Sequence, residues 1–327
     1  MTRRLTVLTE RWPIAGRFTI ARGSKTAAEV VVAEIAEDGV VGRGECVPYA
    51  RYGETVEGVA AAVAGQANAV AAGLDRAGLA ERLPGGAARN ALDCALWDFE
   101  AKRAGRRAWD LAGLMEPRPV TTAYTISLGE PSAMAAAAAK AAGRPLLKVK
   151  LGAPGDPARI RAVRAAVPGA RLVVDVNEGW TAATLAENLA ACADAGVEMV
   201  EQPLAADSDG VLAEIRCPLP VFADESVHGL ATVAALAGRY DGINVKLDKT
   251  GGLTEALMVA AEADRLGLGV IVGCMVATSL AMAPATLLTP GARYVDLDGP
   301  LLLARDRPHG LVYEGSTLQP PAAALWG

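Results

Sequence analysis

Histidine is nearly absent from this chain of 327 residues: only His228 and His309 occur, and neither stands at zinc-ligand spacing from the other or from a cysteine. Any bound metal is therefore expected to be held by oxygen. Cysteine is sparse too. Cys46, Cys94, Cys192, Cys217 and Cys274 form no C-x-x-C pair and are odd in number, which argues against a disulfide framework and for free thiols in a reducing cytoplasm. There is no surplus of positive charge: 32 Lys and Arg stand against 37 Asp and Glu, interspersed, for a net charge of -5. A nucleic-acid stripe and a polybasic membrane anchor are both missing, so neither partner is expected. Long apolar runs are missing as well. The stretch "AMAAAAAKAAG" is broken by Lys140 and Gly143 well before the ~18 residues a membrane span needs. The opening "MTRRLTVLTERWPI" has two arginines but no apolar segment behind them, and does not read as a signal peptide.

What is present is apolar bulk. At 52% hydrophobic residues the chain can bury a large core, and its length suits two domains or one barrel with additions. Residues 1–115 read as α+β: "EVVVAEIAEDGVVGRGECVP" holds two β-rich runs around an Asp38-Gly39 turn, followed by helical stretches over about 55–82 and 86–104. From about residue 119 short apolar strands alternate with alanine-rich helices, the pattern of repeated βα units. Each strand ends on a polar residue. Thr125, Lys150, Asp175, Glu201, Asp224, Lys246, Cys274 and Asp296 follow one another at intervals of 22 to 28 residues, so one βα unit recurs eight times. Eight parallel strands of this kind close into a (β/α)8 barrel whose strand ends converge at one mouth. An open doubly wound sheet is the alternative; the even spacing and the lack of a G-x-G-x-x-G turn after the first strand favour the barrel. The expected organisation is a capping domain over 1–115, joined by the tail 304–327 above the mouth, and a catalytic barrel over 116–303.

The segment "PLLKVKLG" puts Lys148 and Lys150 on the same face of one strand. On an edge strand that would be a solvated face; at a barrel mouth it aims two ammonium groups at one spot. Asp175, Glu201 and Asp224 end three consecutive strands. Three converging carboxylates repel one another unless a cation sits among them, and hard oxygen donors with open positions suit Mg²⁺. Lys150 and Lys246 then flank the metal as candidate bases, with the pKa of Lys150 expected to fall below about 10.4 because Lys148 stands beside it. Two bases on opposite faces of a carbon acid are suited to epimerisation.

The set "KVK", "DVNE", "EQPL", "ADES", "NVKLDKTGG" and "DLDGP" resembles the enolase superfamily in its muconate-lactonizing subgroup, whose sites use a Lys or His base with Mg²⁺. More narrowly it resembles the dipeptide epimerases, the L-Ala-D/L-Glu epimerases in particular, over essentially the whole chain, including "IARGS", "GECVPYARYGET" and "GAARNALDCALWD". The resemblance implies an enolase-like modified barrel and Mg²⁺ held by Asp175, Glu201 and Asp224. It implies Lys150 and Lys246 as the acid/base pair, with Lys148 polarising the substrate carboxylate. Asp296 and Asp298 would hold the α-ammonium of a dipeptide, Thr125 would offer it a hydroxyl, and Cys274 would lie near it. Arg22 would pair with the side-chain carboxylate of a C-terminal glutamate, the contribution of Lys25 being open. Murein peptide metabolism is the setting the resemblance suggests for this isomerase, expected in the cytoplasm on the composition; the sequence leaves the oligomeric state open, a homo-oligomer included.

Four rivals remain at this stage. Cycloisomerisation and o-succinylbenzoate synthesis use the same metal triad and lysines, but their substrates carry no ammonium group to engage "DLDGP". A Schiff-base aldolase would use Lys150 or Lys246 without a metal. A non-catalytic barrel would bind small molecules and exchange no α-proton.

Overall fold

The computed structural model describes residues 2–327. The chain begins with a long antiparallel hairpin, β1 (Arg4–Ile20) against β2 (Gly23–Glu37), and β3 (Val40–Cys46) completes a three-stranded sheet. The β2–β3 turn is the expected one: Asp38 and Gly39 both adopt positive φ, 50° and 83°, as a two-residue hairpin loop of matching twist requires. β1 was not legible in the sequence, because Pro13 and Gly16 interrupt its alternation; the pairing register with β2 slips between Pro13 and Phe18. Helices α1 (Val56–Ala64), α2 (Ala67–Ala71) and α3 (Arg76–Arg82) occupy the first expected helical stretch, interrupted after Ala64 and again at Gly73 and Asp75, where Asp75 caps α3. α4 (Ala87–Ala104) matches the second, and α5 (Ala108–Leu111) leads out of the region.

β2 is buried on both sides, and strand period decides which core each residue joins. Val31, Ala33 and Ile35 pack with Leu92, Leu96 and Phe99 of α4, whereas Val30 and Val32 belong to the larger core that continues into the barrel.

A two-residue strand β4 (Val120–Thr121) precedes the parallel strands, which run β5 (Tyr124–Ile126), β6 (Leu146–Lys150), β7 (Arg171–Asp175), β8 (Val197–Glu201), β9 (Val221–Ala223), β10 (Gly242–Val245), β11 (Gly269–Val272) and β12 (Tyr294–Val295). They pair in sequence order as one eight-stranded sheet, and Ala123 N–H donates to Val295 O at 2.8 Å to join its two edges. Helices α6 (Pro131–Lys140), α7 (Asp156–Ala166), α8 (Ala182–Asp194), α9 (Leu230–Val233), α10 (Leu247–Thr250), α11 (Leu253–Arg265) and α12 (Ser279–Ala285) cover it.

The eight units are not alike. After β8 and after β12 the chain forms only 3-10 turns, at Asp209–Ala213 and Gly299–Leu302, where Pro203, Gly210, Pro218 and Pro300 interrupt any longer helix. The tail forms a small sheet in which β13 (Tyr313–Glu314) pairs β14 (Thr317–Leu318) and β14 pairs β4, just ahead of the first barrel strand. Its end then docks on α4, with Trp326 Nε1 donating to Cys94 O and Gly327 N to Asp98. Among the described residues no helix is long and apolar enough to cross a membrane.

The barrel interior is layered. Ala123, Leu146, Val173, Met199, Phe222, Ile271 and Tyr294 form one buried apolar ring, and Gly242 in the remaining strand leaves room for Phe222, whose ring a Cβ there would meet at 2.1 Å. Two residues further along each strand stand Thr125, Lys148, Asp175, Glu201, Asp224, Gly273 and Asp296, with Asn244 and then Lys246 on the strand that Gly242 begins. Period 2 thus places a polar layer on an apolar plug.

Candidate active site

The polar layer faces a cavity of about 500 Å³ between the barrel and the N-terminal sheet, lined at its floor by Thr125, Lys150, Lys246, Asp296 and Asp298 and at its cap by Phe18, Arg22, Lys25 and Tyr49. Cys274 lines it as well. Asp175, Glu201 and Asp224 are buried side by side, each offering a carboxylate oxygen within 4.8 Å of the others'.

The lysines interleave with these acids. Lys148 Nζ lies 2.6 Å from Asp296 Oδ2, 2.8 Å from Glu201 Oε2 and 3.1 Å from Asp175 Oδ2. Lys150 Nζ donates to Asp175 Oδ2 at 2.6 Å, and Lys246 Nζ to Asp224 Oδ2 at 2.7 Å. Burial works against charge on Lys148 and Lys246, yet the facing carboxylates outweigh it and hold both ammonium groups well above their ordinary pKa. Lys148 is flanked by three acids, a fact of tertiary packing that the spacing does not contain. The same pairing holds Asp175 and Asp224 below the usual carboxylate range against their burial, while burial and the neighbouring Asp175 push Glu201 up to about 7.

Three residues were overlooked in the sequence. Lys249 Nζ donates to Asp224 Oδ1 at 2.6 Å and to Asn244 O at 2.9 Å, and Asn244 Nδ2 donates to Glu201 Oε1 at 2.7 Å, so both fix the orientation of the acids. Gln202 Oε1 accepts from Asp224 N at 2.8 Å. Asn244 stands two residues before Lys246 and shares its strand face, a signal that could have found it. The backbone is unusual here as well: Gln202 after Glu201, and Asn177 and Glu178 after Asp175, all have positive φ, between 37° and 68°. Non-glycine residues in that region are uncommon and concentrate at functional sites.

The acids fit a divalent cation by their chemistry, being three buried hard oxygen donors. Glu201 Oε2 accepts no well-aligned hydrogen bond, its one close neighbour being the Lys148 ammonium at 2.8 Å, so it can turn to a cation. On the far side, Asp298 Oδ2 accepts from Thr125 N at 2.6 Å, burial and then Asp296 push its carboxyl up to about 7, and Asp296 Oδ1 is buried without a hydrogen-bond partner.

Arg22 lies in the two-residue turn between β1 and β2 and reaches the barrel. Its Nη1 donates to Asn177 O at 2.8 Å and Glu178 Oε2 at 3.1 Å, and its Nη2 to Glu225 Oε1 at 2.6 Å and Tyr49 Oη at 3.0 Å. The guanidinium expected to await a substrate carboxylate is already engaged by the protein. The turn can approach this closely because residue 152 is glycine: a Cβ there would stand 2.8 Å from that of Ala21 and 2.3 Å from Val176 O.

Comparison with known proteins agrees with this geometry. Residues 2–113 match the mandelate racemase / muconate lactonizing enzyme N-terminal domain, and residues 132–324 match the enolase C-terminal domain-like family. The chain is 48% identical to the L-Ala-D/L-Glu epimerase of Escherichia coli K12, with 93% of this chain and 95% of that one aligned. It is 41% identical to an N-acetyl-D-glutamate racemase of a Pseudoalteromonas species, over 91% and 95% of the two chains. A crystal structure of an enolase family member from Agrobacterium tumefaciens with homology to dipeptide epimerases, with bound sodium and L-Ala-L-Glu, superposes with a TM-score of 0.98 at 54% identity, covering 99% and 100%. The dipeptide epimerase of Enterococcus faecalis V583, complexed with Mg and L-Leu-L-Tyr, gives 0.91 at 28% identity, covering 100% and 99%.

Proposed function

The chain belongs to the mandelate racemase/muconate lactonizing enzyme family of the enolase superfamily, and from that premise we propose that it is a Mg²⁺-dependent dipeptide epimerase interconverting L-Ala-L-Glu and L-Ala-D-Glu. The observation that carries the reading is the placement of charge around the ring. Lys150 on β6 and Lys246 following β10 stand four places apart among eight strands, on opposite sides of the barrel. Asp175, Glu201 and Asp224 lie on one arc between them, and Asp296 and Asp298 on the other. A dipeptide laid across the mouth puts its carboxylate toward the first arc and its α-ammonium toward the second. Its C-terminal α-carbon then lies between the two lysines.

In this arrangement one lysine enters the turnover neutral and takes the α-proton from one face, and the other, as the ammonium, returns a proton to the opposite face; inversion leaves the two with their roles exchanged. Lys148 keeps a positive charge beside the substrate carboxylate as electron density moves onto it. Bound by Asp175, Glu201 and Asp224, Mg²⁺ supplies further positive charge against that carboxylate. Those acids also hold the lysines, so ammonium groups and cation share the same partners. Asp296 and Asp298 favour a substrate with a free ammonium over an N-acylated amino acid, a cycloisomerase lactone or an o-succinylbenzoate precursor.

The same reading makes 1–115 with 304–327 the specificity cap and 116–303 the catalytic barrel. It places the enzyme in the reducing cytoplasm, where the five free cysteines are stable, acting on peptides released from murein. Proton NMR in D₂O tests the reaction. With Mg²⁺, the glutamate α-proton of L-Ala-L-Glu is expected to exchange while the D-epimer accumulates, and excess EDTA to stop both. Epimerisation undiminished by EDTA would refute the metal assignment, and no α-exchange with any dipeptide would refute the function.

A further inference from the structure

We infer that Arg89, on α4 of the N-terminal domain, is a positioning residue for Lys246: it clamps the single-turn helix α10 that follows this lysine, so the N-terminal domain sets one of the two proton-transfer faces through a contact outside the cavity. This rests on the two-base epimerase reading above. The two lysines are anchored differently. Lys150 is the last residue of β6 and pairs with Asp175 in the ladder to β7, whereas Lys246 stands one residue beyond β10 and begins α10 as its N-cap. Its place is therefore set by the turn behind it. That turn carries a second lysine. Lys249 Nζ donates to Asp224 Oδ1 at 2.6 Å and Lys246 Nζ to Oδ2 at 2.7 Å, so both ends of one helical turn grip the same carboxylate.

A helix of four residues, Leu247–Thr250, does not hold itself. One turn fixes several dihedral angles for little hydrogen bonding, and the last carbonyls of a helix have no partner within it. α4 supplies what is missing. Arg89 Nη2 donates to Thr250 O at 2.7 Å and Nε to Gly251 O at 3.2 Å, with Glu255 as the counter-charge of the guanidinium, and Asn90 Nδ2 donates to Asp248 Oδ1 at 2.8 Å. A guanidinium fork suits two neighbouring carbonyls, and a cation at a helix C-terminus complements its dipole. Two glycines in the left-handed region make the seat. A Cβ on Gly251 (φ 77°) would stand 2.3 Å from Arg89 Nε, and one on Gly252 (φ 113°) 2.4 Å from Asp93 Oδ2, the oxygen that accepts from Thr254 N at 3.0 Å as α11 begins. Arg89 is not among the residues that line the cavity, so its influence on Lys246 passes through α10.

The test reads the two faces separately. Loss of α-proton exchange in Lys246→Ala identifies which of L-Ala-L-Glu and L-Ala-D-Glu presents its proton to Lys246. In Arg89→Ala, exchange of that epimer into D₂O is expected to fall about tenfold or more, as for a reacting group displaced by up to about 1 Å, while exchange of the other epimer stays within about twofold. Amide hydrogen exchange over 247–252 is expected to quicken. The ratio of the two α-exchange rates from one enzyme preparation cancels the folded fraction, so a variant that only folds less well lowers both alike. Arg89→Lys keeps the charge without the fork and is expected to shift the ratio in the same direction by less; it carries the test if Arg89→Ala does not accumulate as folded protein. A wild type that exchanges neither epimer removes the epimerase reading, and this inference with it. A wild type that exchanges both, with the ratio unchanged or shifted the other way in the folded variants, or with unaltered amide exchange over 247–252, overturns the positioning role of Arg89 alone.

Discussion

Arg22 Nη2 donates to Glu225 Oε1 at 2.6 Å, which ties the tip of the N-terminal hairpin to the residue immediately after Asp224. Asn177 Nδ2 shares the same oxygen at 3.3 Å, while Glu225 Oε2 is buried without a hydrogen-bond partner. The cap is thus fastened to the barrel beside the acids that would hold the metal.

Glu225→Gln keeps the size of the side chain and removes its charge. The hairpin tip should then be held more weakly, KM should rise about tenfold or more, and kcat should change less, since breaking one buried charge pair costs on the order of 2 kcal/mol or more. Faster amide hydrogen exchange confined to residues 19–25 is the accompanying sign. Unchanged exchange there would show that Arg22 does not hold the tip.

Lys150 and Lys246 should be separable by isotope. Each alanine variant is expected to lose epimerisation by about a thousandfold or more, the scale of a lost general base. Lys246→Ala should still exchange the α-proton of one epimer with D₂O, and Lys150→Ala that of the other. If both variants retain exchange with the same epimer, the two lysines do not serve opposite faces.

Asp298 tests the ammonium site. Its carboxyl is raised to about 7 by burial and by Asp296, so the anionic form that attracts an ammonium gains population as pH climbs through 7. Affinity for L-Ala-L-Glu should rise over that interval, and affinity for N-acetyl-L-glutamate should not follow it. Asp298→Asn should flatten the dipeptide profile and narrow the gap between the two substrates. A profile identical for both compounds in the wild type would remove Asp298 from recognition.

Asp248 offers a stability test away from the metal. Its Oδ1 accepts from Val47 N at 2.9 Å and from Asn90 Nδ2 at 2.8 Å, joining cap to barrel, and burial pushes its carboxyl up to about 7 from 3.8. Between those two values the folded chain binds a proton that the unfolded chain has released. Its contribution is therefore fully present below the unfolded pKa and is lost as pH rises through the folded one. Asp248→Asn preserves the acceptor and has no proton to lose. The variant should gain stability relative to the wild type as pH rises from 5 to 8, by on the order of 1–3 kcal/mol, measured by urea denaturation. A constant difference across that range would contradict the assignment.

The sequence by itself determined the parallel strands, the residue that ends each one and the chemistry those residues carry, because strand period and a spacing of 22 to 28 residues are local properties of the chain. Asp175, Glu201 and Asp224 were legible as a cluster for that reason, and so was the Asp38-Gly39 turn. Only the tertiary structure decided which charges neutralise which. That Lys148 is surrounded by Asp175, Glu201 and Asp296 depends on ring closure across 148 residues of sequence. That Arg22 is spent on Glu225, 203 residues away, depends on where a bulged hairpin comes to rest. Coulomb interactions act through space with no sequence period, so spacing names the charged groups and folding alone assigns their partners.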